Sequence, residues 1–167
     1  ESAIPQDEVQ KTQARLESAR QQQVDVAAPV PFTKAEKYLD DAKLAMQKNK
    51  PSQKVKEQVE WSNSYLDKAE QMASESSTVL APVLTARQAA ITAQAPTVNA
   101  KDFSATDRKL KGITDDWTPG KIKASTQDLA AIQTEYLNEE LTAIKAVKLT
   151  EARSLVKNAE DMNAKKF

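Results

Sequence analysis

An all-α fold is predicted, on three grounds. The chain has only 2 glycines and 5% aromatic residues, and it is rich in Ala, Gln, Lys, Glu and Leu. Straight side chains lose little rotamer freedom in a helix, while the residues that favour sheets are scarce. Apolar positions recur at spacings of three and four, and prolines at 29, 31, 51, 96 and 119 punctuate the periodic stretches. The expected architecture is an elongated helical bundle of two tandem short-helix/long-helix units preceded by an N-terminal helix. The expected domains are residues 1–95 and 96–167.

The first helix is expected from about Asp7 to Gln22, with Val9, Leu16 and Ala19 on one side and Asp7 and Glu8 placed to favour the positive end of its dipole. Val24 to Pro31 holds Pro29 and Pro31 and reads as an extended connector. A second helix is expected near Thr33, a plausible N-cap with Glu36 three residues on, and Ala35, Leu39, Ala42 and Met46 make a narrow seam for a partner helix. Beyond Lys48-Asn49-Lys50-Pro51-Ser52, a third helix carries Val55, Val59, Ser62, Leu66, Ala69 and Ala73, flanked by Trp61, Tyr65 and Met72. These span roughly 160° at about 100° per residue, enough to meet two neighbours. Pro82 predicts a kink or short break in a run that reaches about Ala93.

Pro96 then interrupts, and Lys101 to Thr114 makes a short helix carrying Phe103, Thr106, Leu110 and Ile113. Thr118-Pro119-Gly120 turns the chain into a long helix from about Lys121 to Asp161. Its apolar positions are Ile122, Leu129, Ile132, Tyr136, Leu137, Leu141, Ile144, Val147, Ala152, Leu155 and Met162.

The pattern repeats internally. Asn99-Ala-Lys-Asp-Phe103 returns as Asn163-Ala-Lys-Lys-Phe167, with Ala28-Pro-Val-Pro-Phe32 in the corresponding earlier place. Ala14-Arg15, Ala86-Arg87 and Ala152-Arg153 precede the three phenylalanines by similar stretches, and Tyr65-Leu66 stands as far from Tyr136-Leu137 as Phe32 does from Phe103. Phe167 would open a third unit, so the sequence reads as part of a longer protein.

Lys34-Ala-Glu-Lys-Tyr-Leu-Asp-Asp-Ala-Lys-Leu-Ala-Met46, set behind a Pro-containing linker and an aromatic residue and ahead of a long Ala/Gln-rich helix, carries a family likeness. It resembles the Ala-rich helical regions of Gram-negative envelope lipoproteins, often found ahead of an OmpA-like peptidoglycan-binding domain. The resemblance covers about residues 10–95 and extends more weakly into the second unit, where Thr106 replaces the expected Ala. It implies a periplasmic protein held at the outer membrane through a lipidated cysteine upstream of Glu1. The partner implied is another envelope protein or one associated with peptidoglycan.

Composition narrows the chemistry. With no His and no Cys, the commonest general base, the commonest zinc ligands and thiol chemistry are all missing, so no enzyme, metal or cofactor is expected. Lys+Arg and Asp+Glu each total 24, which leaves no net field to draw nucleic acid. No stretch reaches the ~20 apolar residues of a membrane span. Asp40-Asp41, Asp115-Asp116 and Glu139-Glu140 read as solvated helix surface or turn caps, because adjacent helical side chains diverge by about 100°. The lysines from Lys34 to Lys56 alternate with acidic residues and read as a salt-bridged face.

Trp61, Tyr65 and Met72 form an apolar strip at helical spacing, which reads first as core and second as a partner or ligand contact. Trp117, beside the Thr118-Pro119-Gly120 turn, reads as a cap on the bundle or as an anchor for a partner. The function expected is a non-enzymatic spacer and protein-interaction module, monomeric because its turns are short. The alternative is a bundle that binds lipid or a small apolar ligand.

Overall fold

A computed structural model describes residues 4–116 and 118–164, and every regular element among them is a helix. In order these are α1 (Ile4–Gln21), α2 (Val24–Ala27), α3 (Pro29–Gln47), α4 (Ser52–Thr92), α5 (Ala95–Val98), α6 (Ala100–Thr114), α7 (Pro119–Ala124) and α8 (Thr126–Ala164). No helix among the described residues is long and apolar enough to cross a membrane.

Several boundaries differ from the sequence reading. The expected extended connector is helical: Val24–Ala27 forms α2, and α3 begins at Pro29. Proline disrupts a helix interior, but in the first turn its missing N–H would have no intrahelical partner anyway. Thr33 therefore sits inside α3, and Ala28 occupies the N-cap position without a side-chain cap. No break occurs at Pro82, and α4 continues across it to Thr92. The long C-terminal helix, by contrast, is interrupted at Ser125. There Ser125 Oγ donates to the Lys121 carbonyl and Thr126 Oγ1 to the Lys123 carbonyl, a local alternative to the helical ladder. At the end of α3, Asn49 is left-handed at φ 51°, with its N–H on Met46 O and the Lys50 N–H on Ala45 O. This is a Schellman stop, and Pro51 follows it.

Packing groups the chain into two compact units that each draw on separate stretches of sequence. This partition differs from the division at residue 95, which follows the sequence pattern. The first unit holds the described residues up to Leu80 together with Leu110–Thr126. Val9, Leu16 and Ala19 of α1, Phe32, Ala35, Leu39 and Ala42 of α3, and Val55, Val59, Leu66 and Ala69 of α4 make one buried cluster. Each fully buried Leu or Phe contributes about 1.5–3 kcal/mol, and the alanines let the helices approach closely. As the wide apolar arc predicts, α4 meets two neighbours. Ser62 Oγ donates to the Ala35 carbonyl of α3 at 2.7 Å, and Asn63 Nδ2 donates to Thr12 Oγ1 of α1 at 3.0 Å. Thr114 Oγ1 donates to the Val26 carbonyl at 2.7 Å, so the end of α6 closes over α2.

The second unit holds Ala81–Lys109 and the described residues from Gln127 on. Val83, Ala86 and Ala90 of α4, Phe103 of α6, and Leu129, Ile132, Tyr136 and Ala143 of α8 are buried in it.

The internal repeat is visible in the backbone. Gln23 and Gln94 both adopt the left-handed conformation, at φ 63° and 69°, immediately before α2 and α5. Burial repeats too. Thr12 and Val83, Leu16 and Arg87, Ala19 and Ala90, Phe32 and Phe103, Ala35 and Thr106 are pairwise 71 residues apart and all buried. Beyond the hairpin the offset is 70, which pairs Val59 with Leu129, Ser62 with Ile132, Leu66 with Tyr136 and Ala69 with Glu139. The equivalence of Tyr65-Leu66 with Tyr136-Leu137 is thus off by one. Tyr136 takes the place of Leu66, and Leu137 is turned outward.

Candidate functional site

Tyr38, Trp61 and Tyr65 meet on the first unit, Tyr38 from α3 and the other two from successive turns of α4. Tyr38 stacks on Tyr65 with centroids 5.5 Å apart and planes 10° off parallel, and on Trp61 at 6.0 Å and 25°. Lys34 Nζ lies 5.2 Å from the centre of the Tyr65 ring, within range of a cation–π contact. The strip predicted as core is therefore divided. Tyr65 and Met72 are half-buried against the cluster below them, whereas Trp61 is 53% exposed. The physical reason is angular: Ser62 and Leu66 take the inward positions, and Trp61, one residue before Ser62, points about 100° away. Trp117 lies outside the described residues. Tyr38 was not singled out from the sequence, though its spacing from Lys34 placed both on one face of a helix.

The second unit gathers polar groups inside. Asp107 receives Arg87 Nε on Oδ1 and an Arg87 terminal nitrogen on Oδ2, both at 2.8 Å, and Tyr136 Oη donates to Oδ1 at 2.6 Å. Arg87 also lies over the Phe103 ring, 5.5 Å from its centre, and Phe103 packs against Tyr136 with centroids 5.7 Å apart. Burial, reinforced by the bond to Asp107, holds the Tyr136 phenol far above its ordinary range, so it stays a donor.

One turn away, Thr106 Oγ1 donates to Glu139 Oε1 and lies 3.2 Å from Glu135 Oε2, while Lys109 Nζ reaches both oxygens of Glu135 at 2.7 and 2.9 Å. The expectation that Glu139 is solvated surface is overturned: it is only 6% exposed, because it sits on the α8 face that packs against α6. Its Oε2 is buried without a hydrogen-bond partner. Burial pushes its carboxyl above the usual range; the Thr106 bond opposes this, and the charges of Glu135, Asp102 and Asp107 add to it. Asp40, Asp115 and Asp116 are exposed as expected.

A third feature lies on α8. Leu137, Leu141, Ile144, Leu155 and Met162 are 45%, 50%, 42%, 70% and 64% exposed, although their periodicity placed them with the core residues. The buried face of the helix, Leu129 to Ala143, is a different one, and the helix carries two apolar stripes where one was expected. No group of three His, Cys, Asp or Glu among the described residues is placed to hold a metal ion. Comparison with protein-family models, curated proteins and solved structures finds no match for the chain.

Proposed function

We propose that this chain is a non-enzymatic structural spacer and protein-interaction module of a bacterial cell-envelope lipoprotein. The observation that carries the interaction half is the exposed stripe on α8. Leu137, Leu141, Ile144, Leu155 and Met162 fall within an arc of about 60° and run for about 38 Å. A long, narrow apolar seam of this kind suits another helix, and large uncovered apolar patches on soluble proteins mark sites of association. The stacked aromatics at Tyr38, Trp61 and Tyr65 offer a second contact surface of the type enriched in interfaces. The envelope half rests on the likeness of Lys34 to Met46 to lipoprotein helical regions, with an outer-membrane tether and a periplasmic partner following from it. The non-enzymatic reading rests on composition, which provides neither His nor Cys.

The alternative of a bundle that binds lipid or another apolar ligand has less support. One cleft in the first unit has Leu16 and Leu39 among Gln13, Glu17, Arg20, Glu36, Asp40 and Lys43, and another has Val59 among Glu8, Lys11, Thr12, Arg15, Glu60 and Asn63. Charged side chains ring both, whereas sites for acyl chains are lined predominantly by apolar ones.

The test is photo-crosslinking in cells that express the natural full-length product, with the crosslinking residue at position 141 or 155. A discrete adduct to an envelope protein, in a fraction that pellets with the envelope, is the expected result. A cytosolic product that yields no adduct from either position overturns the proposal.

A further inference from the structure

We infer that the groove between α6 and α8 of the second unit binds an alkylammonium group, which takes there the place that Lys34 occupies on the first unit. The inference stands on the two repeats and is independent of the envelope reading.

The groove holds about 300 Å³ and is lined by Asp102, Ala105, Thr106, Lys109, Glu135 and Glu139, together with Asn99, Asn138 and Thr142. At the repeat offsets, its positions correspond on the first unit to Pro31, Lys34, Ala35, Tyr38, Tyr65 and Ala69. That face is self-contained: the Lys34 ammonium lies over Tyr65, Tyr65 stacks on Tyr38, and Ala35 and Ala69 pack beneath. In the second unit Ala105 replaces the lysine, and the ammonium in the lining is that of Lys109, which stands where the first unit has Tyr38. In the same exchange Glu135 replaces Tyr65, Glu139 replaces Ala69 and Asp102 replaces Pro31. One repeat carries its own cation over an aromatic face. The other has Lys109 in the place of Tyr38, bonded to Glu135, and has acquired three carboxylates.

Acidity alone would describe many solvated helix faces. The second observation is Glu139, buried to 6% exposure in the wall of the groove, with Oε2 making no hydrogen bond. A buried carboxylate oxygen without a donor is costly, and in the fold it is surrounded by like charge from Glu135, Asp102 and Asp107. Lys109 is bonded to Glu135 and Arg87 to Asp107, and neither reaches Glu139 Oε2. An incoming ammonium supplies what is missing, with three N–H donors in any rotation for Glu139 Oε2 and neighbouring oxygens. A metal ion suits the groove poorly, since no three carboxylates among the described residues converge closely enough to hold one. The amine can belong to a free polyamine or to a lysine of a partner protein, and the chemistry at Glu139 is the same.

Titration calorimetry of the 167-residue chain near neutral pH and low salt, with putrescine and with the capped tripeptide Gly-Lys-Gly as separate probes, tests this. One saturable site is expected for at least one probe. Putrescine binding alone identifies a free amine as the ligand type, and tripeptide binding identifies a lysine side chain. Glu139→Gln should weaken the site by about tenfold or more. Ala105→Lys, which places a lysine where the first unit has Lys34, should abolish it, and Asp116→Asn, an exposed acid elsewhere, should leave it unchanged. The Glu139 carboxyl carbon, followed by NMR in the unsubstituted chain, should titrate at lower pH when putrescine is bound, a readout that needs no variant to fold. Absence of a saturable site for both probes overturns the inference. So does binding that survives both Glu139→Gln and Ala105→Lys with the Glu139 titration unmoved.

Discussion

Where the first unit buries Leu16, Ala35, Leu66 and Ala69, the second buries Arg87, Thr106, Tyr136 and Glu139 at the equivalent positions. The same helical plan is thus filled in two chemistries. The apolar filling needs only shape, because dispersion and exclusion of water have no direction. The polar filling needs each donor to meet an acceptor, and it is satisfied at Asp107 but left incomplete at Glu139. Duplication of a packing scaffold leaves one copy free to take on polar groups while the other keeps the structure. The second copy is accordingly the one in which a binding property is to be sought.

Truncation of the apolar core should have the largest effect. Leu66 is fully buried, so Leu66→Ala removes its transfer free energy and leaves a cavity, for about 2–5 kcal/mol lost in denaturant unfolding. Tyr136→Phe at the equivalent position keeps the ring and removes one hydrogen bond, for about 1 kcal/mol. If the two losses are equal, the second unit relies on its network as heavily as the first relies on its apolar volume, and the contrast fails.

Next comes the ion pair at the centre of the network. Asp107→Ala strands the Arg87 guanidinium, whose side chain is 9% exposed, and the Tyr136 hydroxyl together. Breaking a fully buried pair costs about 3–5 kcal/mol, and the partial exposure of Asp107 brings the expected loss to about 2 kcal/mol. Asp107→Asn retains acceptor and shape and should cost less. The exposed Arg15 bonds to Asp67 and Glu70 provide the control, because removing them should change stability by less than about 1 kcal/mol.

Much of this plan is legible in the sequence. The spacing of Val9, Leu16 and Ala19, and of Val55, Val59, Leu66 and Ala69, marks faces that are buried. The separation of Phe32 from Phe103 marks a repeat that the left-handed Gln23 and Gln94 bear out. The second unit is harder to read because periodicity marks positions by apolarity, and its inward positions carry Arg87, Thr106 and Glu139. Arg87 and Thr106 follow from Leu16 and Ala35 at the 71-residue offset, but Glu139 falls opposite Ala69 only at an offset of 70, where the Tyr-Leu match favours 71. The stripe from Leu137 to Met162 fails for the opposite reason, since apolar periodicity identifies a face that wants covering without showing whether this chain covers it. Trp61 lies one residue from an inward position, a difference that composition does not reveal.

The pH dependence separates the units more sharply than a single stability value. The Glu139 carboxyl is raised in the fold, so between its unfolded and folded ranges the folded state binds more protons. Stability must therefore fall as pH rises through that interval, and the penalty is absent below the unfolded value of 4.5. Glu139→Gln should stabilise the protein by about 1 kcal/mol near neutral pH and by nothing in acid, as seen by thermal unfolding across that range. Substitution at Ala69 in the first unit should show no such pH dependence. A Glu139→Gln variant whose gain is the same in acid and at neutrality would mean that the hydrogen bonds of the amide, and not loss of the charge, are responsible.

The smallest effect is expected at Trp61. Stacked aromatics contribute about 0.5–1.5 kcal/mol beyond burial when packed, and Trp61 is more than half exposed at the edge of its stack, with its ring 6.0 Å from Tyr38 and tilted 34° from Tyr65. Trp61→Ala should cost less than about 1 kcal/mol in unfolding. On the proposed reading, a residue that adds so little to the fold yet places a large apolar ring in water serves as a partner contact. The same variant should therefore weaken partner capture by full-length protein well beyond its effect on stability. If unfolding is instead strongly affected and capture is not, the stack is a structural support of the α3–α4 pair, and the proposed contact surface reduces to the stripe on α8.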